Sequence, residues 1–113
     1  MSKSTLQPSY FVREDGVFNR IDIDELIYME TARNYLHLCS SNEKVTIRMK
    51  IDDALAALPK DQFVKVHRFF AVRVDYIDVV AKDHLVLRSL TNMAIPIGKA
   101  FYPELLKRIT VLG

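Results

Sequence analysis

The sequence predicts a mostly β fold of short antiparallel strands with one or two short helices. Short apolar and polar alternations recur along the chain between turn signals, which is typical of strands with one buried face. Apolar residues at helical spacing occur in only two short segments. Half of the 113 residues are hydrophobic and 27% are charged, so the chain is expected to fold as one domain with its own core.

The first two strands are predicted at 10–13 and 17–21, joined at Glu14-Asp15-Gly16, because an Asp-Gly pair favours a tight hairpin turn. A short helical turn capped by Asp22 or Asp24 follows. Turns are also expected at 40–44, 81–83 and around Thr91-Asn92, and Pro96 suggests an edge strand. Further strands are predicted at 27–30, 35–39, 45–50, 63–67, 76–80, 84–88 and 93–97.

The two helical segments have marked ends. Residues 51–58 place Asp52 and Asp53 in the first turn and end before Pro59. Residues 102–109 have Pro103 at a favoured first position, and Leu105, Leu106 and Ile109 are predicted to form one apolar stripe.

Residues 1–9 lack periodicity and are interpreted as a flexible lead or linker remnant, with the domain at 10–113. The single cysteine excludes an internal disulfide and favours a reducing compartment. No apolar run approaches the roughly 20 residues that cross a bilayer, and no secretory signal is evident. A cytoplasmic protein is expected.

The sequence offers few groups of residues that could form a catalytic or metal-binding site. His37, His67 and His84 are scattered, and each is better explained as a strand histidine with a hydrogen bond than as a ligand. Cys39 is most simply a small core residue. With only three glycines, no phosphate loop or nucleophile elbow can be found. We predict neither an enzyme nor a metal or cofactor site.

Two predicted turns carry side chains suited to DNA. Arg68 follows the strand 63–67, at the point where the apolar and polar alternation ends. It is interpreted as a side chain presented to a phosphate or a guanine edge, and the alternative is an ordinary surface arginine. Arg33 and Asn34 suit guanine and adenine edges, although a polar turn that uses the left-handed tolerance of asparagine is the alternative.

Charge is unevenly distributed, which favours a polyanionic ligand. Residues 63–113 carry eight lysines and arginines against four acidic residues, whereas residues 1–62 carry eight against ten. One half is therefore positive and the other negative, as expected for a domain with one polyanion-binding face.

Three ordered segments carry a family resemblance. They are Ile27-Tyr28-Met29-Glu30 leading to Asn34-Tyr35, then 63–68 with Ile77 beyond, and 95–99 before an apolar end. Their order and spacing over about residues 10–109 resemble the LytTR family of DNA-binding output domains found in bacterial response regulators of two-component systems.

The resemblance implies a mostly β fold that reads the major groove of double-stranded DNA with loops, without a cofactor. Since lysine lacks the fork of arginine, Lys99 is expected mainly at phosphate. This chain also has Phe69 and Arg73 where the family commonly has serine and asparagine. Base reading is predicted at Arg33, Asn34, Arg68 and Lys99, and phosphate contact or positioning at Arg48, Lys65, Arg73 and Gly98.

The resemblance also implies partners. Family members usually carry a receiver domain, and residues 1–9 are interpreted as the end of its linker. Because the net charge is only +2, we expect two copies to pair on repeated half-sites. The alternative is a β-rich protein-interaction module without DNA binding, which would use Phe69-Phe70 and the Pro96 edge.

Overall fold

The structure, a computed structural model, describes residues 9–113 and confirms the mostly β fold with two short helices. The predicted lead therefore lies outside the described residues, except for Ser9. All strand pairs are antiparallel and fall into three sheets of two, five and three strands. The strands are β1 Tyr10–Glu14, β2 Val17–Ile21, β3 Tyr28–Ala32, β4 Tyr35–Cys39, β5 Lys44–Ile47, β6 Phe63–His67, β7 Phe70–Arg73, β8 Ile77–Val80, β9 His84–Leu87 and β10 Leu90–Pro96.

The five-stranded sheet, in the order β5-β4-β3-β7-β6, is the centre of the domain. Side chains alternate across it, so Met29 and Ala71 face one core cluster while Val64 and Val72 face the other. The β1–β2 hairpin and helix α1 (Ile51–Ala57) cover the first face. The sheet β10-β9-β8 and helix α2 (Tyr102–Lys107) cover the second.

Local sequence signals placed several elements correctly. The hairpin turn holds Asp15 and Gly16 at positive φ, 52° and 78°, as a tight Asp-Gly turn requires. Asp22 caps a 3₁₀ helix, Ile23–Glu25, by accepting the Asp24 amide at 3.0 Å. Pro96 lies in β10, an outer strand of its sheet, which confirms the edge prediction.

Other boundaries were wrong. The predicted turn at Thr91-Asn92 lies inside β10, and the chain reverses instead at Arg88-Ser89, where Ser89 has φ 72°. The register of β10 shifts between Leu90 and Ala94, so the intervening residues form an irregularity in the strand.

Two elements are shorter than their patterns suggested. Strand β5 ends at Ile47 instead of continuing to residue 50. Helix α2 ends at Lys107, and Leu106 is 36% exposed, so only Leu105 of the expected stripe is fully buried. In the part of the chain that the structure describes, no helix is long and apolar enough to cross a bilayer.

Candidate nucleic-acid interface

The β3–β4 connection is a two-residue turn that exposes both predicted readers. Ala32 pairs with Tyr35, which leaves only Arg33 and Asn34 in the turn. Arg33, and not Asn34 as the alternative interpretation assumed, has the left-handed backbone, with φ 59°. A residue other than glycine is destabilised in this backbone conformation. Such strained residues cluster at functional sites, where the side chain is needed.

The β6–β7 connection presents Arg68 beside this first turn. Arg68 and Phe69 are both exposed, and the Phe69 amide donates to Nδ1 of His67 at 3.1 Å. The amide of Thr31 donates to the carbonyl oxygen of Phe69 at 2.8 Å, which ties the strand leading to Arg33 to the Arg68 turn. Rigid strands therefore hold the two turns side by side.

These turns border one cationic concavity of about 520 Å³. Five cationic side chains and two carboxylates line it, so its charge is positive overall. Lys50 is among the cations, although it is not one of the predicted site residues. Its place on the basic face of the predicted strand 45–50 is the sequence feature that points to it. The charged lining residues are Arg33, Arg48, Lys50, Lys65, Arg68, Asp52 and Asp53.

Gly98 and Lys99 do not line the concavity, but Gly98 contacts β6, the strand that leads to Arg68. The Gly98 amide donates to the Val66 carbonyl at 2.8 Å, and a Cβ on Gly98 would lie 3.0 Å from the Phe101 ring and 3.8 Å from the His67 Cα. Because that amide is already bonded within the protein, positioning is the part of the predicted role that remains open to the Gly98 backbone N–H. Gly98 lets the chain approach β6 closely and places the exposed Lys99 near the Arg68 turn.

The predicted phosphate contacts Arg48, which follows β5, and Lys65, which lies on β6, differ in how strongly other side chains already bind them. Arg48 is exposed, with its guanidinium 5.3 Å from the Tyr35 ring centroid and Nη2 3.4 Å from the Tyr35 hydroxyl. Lys65 Nζ instead forms a 2.7 Å ion pair with Asp52 and lies 5.6 Å from the Phe101 ring centroid. Arg48 is therefore accessible, whereas Lys65 is already partly neutralised.

The model of the LytTr DNA-binding domain family matches residues 17–110. The chain belongs to the LytTR family. A solved LytTr DNA-binding domain from Bacillus cereus, whose parent protein is described as a methyl-accepting/DNA response regulator, has the same fold, with a TM-score of 0.75 and 17% sequence identity. The match covers 90% of this chain and 96% of that chain. A search of curated proteins found no match.

Because the chain belongs to this family, it is a DNA-binding domain. The LytTR family is not a catalytic one. Each of the three histidines has a local hydrogen-bond partner, as predicted. His37 Nδ1 lies 2.8 Å from Thr46 Oγ1, and His84 Nδ1 lies 2.9 Å from Asp83. Within residues 9–113, no three potential ligands among His, Cys, Asp and Glu are grouped to hold a metal ion.

Cys39 is buried in the LytTR domain, as predicted for a small core residue. Burial raises the pKa of its thiol, and burial likewise raises the pKa of the cross-strand Tyr28 phenol, with the hydrogen bond between the two groups adding to the Tyr28 shift. Both groups therefore remain protonated at neutral pH.

The prediction that Arg73 contacts phosphate is wrong, because this side chain is buried. The side chain is only 6% exposed, and its guanidinium donates to Leu26 O at 2.6 Å, to Gln62 Oε1 at 3.2 Å and to Ile23 O. It also lies 4.6 Å from the Phe63 ring centroid. A buried cation is stable only with such partners. Arg73 therefore connects the 3₁₀ segment to the central sheet and is not exposed for a phosphate contact.

Proposed function

We propose that this LytTR domain binds specific sequences of double-stranded DNA by inserting its turns into the major groove, as the output domain of a bacterial transcription regulator. The observation that carries the proposal is the placement of Arg33, Asn34 and Arg68, from two different turns, around one cationic concavity. Base edges must be met by side chains held at fixed positions, and two turns linked by a backbone hydrogen bond supply them.

Arg68 is proposed as the principal base reader. Its guanidinium can donate two hydrogen bonds to O6 and N7 of guanine, and its backbone lies between two paired strands. Asn34 can pair with N6 and N7 of adenine, and Arg33 can reach a neighbouring guanine or a phosphate. These three side chains specify the sequence in the proposal.

The surrounding cations are proposed to hold the phosphate backbone. Arg48 and Lys50 are exposed and line the concavity, and Lys99 is exposed next to Gly98. All three carry charge without a fixed base-reading geometry. Lys65 can join them only by sharing or leaving Asp52. Contacts of this kind set register and salt dependence but carry no sequence information.

Two partners complete the proposal. Two copies pair on repeated half-sites, because one small reading surface with a net charge of +2 gives modest affinity alone. A receiver domain precedes the DNA-binding domain in the natural regulator, in keeping with the response-regulator description of the Bacillus cereus protein.

Selection of binding sites from random duplexes at near-physiological salt tests this function. We expect one enriched motif, and affinity for it that falls with added salt with a log–log slope of about −3 to −5, because each neutralised phosphate contributes about −0.9. Failure to enrich any motif would refute sequence recognition. Affinity for a peptide partner with little salt response would instead favour the protein-interaction module.

Removing the carboxylate that pairs with Lys65 should strengthen DNA binding. Asp52→Asn deletes a negative charge at the concavity and frees Lys65 Nζ from its 2.7 Å ion pair. We expect affinity for all duplexes to rise about twofold to fivefold, the effect of roughly 0.5–1 kcal/mol of surface electrostatics. Fluorescence anisotropy with specific and scrambled duplexes measures it.

Asp78→Asn is the matched control for this charge change. Asp78 is exposed on β8, in the three-stranded sheet, and it does not line the concavity. It alters the net charge of the domain equally. Equal gains for the two variants would show that net charge, and not the Lys65 ion pair, sets the affinity.

A further inference from the structure

An aromatic ring is exposed on the proposed reading surface. Phe69 is 42% exposed and lines the concavity beside Arg68, whereas the next residue, Phe70, packs against the second core cluster. Several large apolar side chains are exposed among the described residues, and Phe69 is the one of them that lines the concavity.

The backbone of Phe69 is held on both sides. Its amide donates to His67 Nδ1 at 3.1 Å, and its carbonyl accepts the Thr31 amide at 2.8 Å. The His67 ring lies 5.7 Å from the Phe69 ring at an interplanar angle of 51°. The ring is therefore presented at a defined position beside the two turns.

Arg68 and Phe69 place a hydrogen-bond donor and an apolar ring next to each other. The Arg68 guanidinium carbon lies 4.8 Å from the Phe69 ring centroid, so a forked donor and a flat apolar surface stand side by side. Successive bases on one strand are about 3.4 Å apart along the helix axis. Two groups at this separation suit neighbouring base pairs.

We propose that Phe69 is a specificity-determining residue that contacts the C5-methyl group of a thymine next to the base read by Arg68. The thymine methyl is the apolar group that the major groove displays, and aromatic side chains are suited to it. This inference rests on the proposed function and deepens it, because it adds a thymine preference to the guanine preference expected of Arg68.

Deoxyuridine, which is thymine without the methyl group, tests the proposal. In a duplex selected by the unaltered domain, each thymine is replaced in turn by deoxyuridine, and affinity is measured for the unaltered domain and for Phe69→Ser. We expect one replacement to lower the affinity of the unaltered domain for the duplex about fourfold, the effect of one buried methyl group. The same replacement should leave the affinity of Phe69→Ser unchanged. Phe69→Leu, which keeps an apolar side chain but loses the ring, should retain the discrimination.

Phe18→Ser is the matched control, since Phe18 is 64% exposed on β2 and does not line the concavity. Its deoxyuridine profile should equal that of the unaltered domain. If no single thymine is sensitive, or if Phe69→Ser loses affinity while keeping the sensitivity, the methyl contact is refuted although specific DNA binding stands. If the unaltered domain selects no duplex, the proposed function itself fails.

Discussion

Replacing Arg73 with methionine should lower the free energy of unfolding by about 2–4 kcal/mol, the largest stability effect expected here. The change removes the donor to Leu26 O, the donor to Gln62 Oε1 and one of the donors to Ile23 O. Buried acceptors left without a partner each cost about 1–3 kcal/mol. Such a loss is a large fraction of the roughly 5–15 kcal/mol of a typical domain, and urea unfolding measures it.

Arg48→Met separates this effect from DNA binding. Arg48 is exposed and contacts the Tyr35 hydroxyl at 3.4 Å and the face of the Tyr35 ring. Its loss should change stability by less than about 0.5 kcal/mol while weakening binding to all duplexes. Arg73→Met, corrected for the folded fraction, should bind DNA normally. A stable Arg73→Met protein with weakened DNA binding would reverse the roles assigned to these two arginines.

Arg68→Ala should cost about 1–3 kcal/mol of specific binding and relax the preference at one base pair. The guanidinium is exposed on a turn fixed by the β6–β7 pairing and by the Thr31 hydrogen bond to Phe69. Its removal should therefore leave the fold intact while deleting the proposed base contact. Repeating the site selection with the variant measures which position loses its preference.

Lys99→Ala is the comparison for Arg68→Ala. Lys99 is exposed next to Gly98 and supplies charge without a fork. Its loss should weaken binding to specific and scrambled duplexes alike and reduce the salt slope by about the contribution of one phosphate. Should Arg68→Ala keep the motif of the unaltered domain at every position, Arg68 would be a phosphate contact and not a reader.

Short-range signals in the sequence were reliable wherever one or two residues determine the local backbone. The Asp15-Gly16 turn, the Asp22 cap and the start of α1 each follow from side-chain chemistry within a few residues. The same reasoning placed Arg33 and Arg68 in exposed turns, and the structure brings them to one surface.

Signals failed where distant packing decided the outcome. Ser89 takes the left-handed conformation at the β9–β10 reversal, although Thr91-Asn92 looked like the better turn. The buried strand residues Leu87 and Ile95 set that reversal, because both must reach the second core cluster. Propensity within a few residues does not contain that constraint.

The sequence by itself determined the fold class, the family and the turns that carry cationic side chains, because these depend on alternation, on turn residues and on the order of short segments along the chain. Only the tertiary structure decided which cations face solvent. Arg68 and Arg73 are five positions apart and chemically identical, yet one is exposed and the other is sealed by Leu26, Ile23 and Gln62. The physical reason is that burial depends on which distant segment packs over a side chain, and the residues around Arg73 come from 11 to 50 positions away.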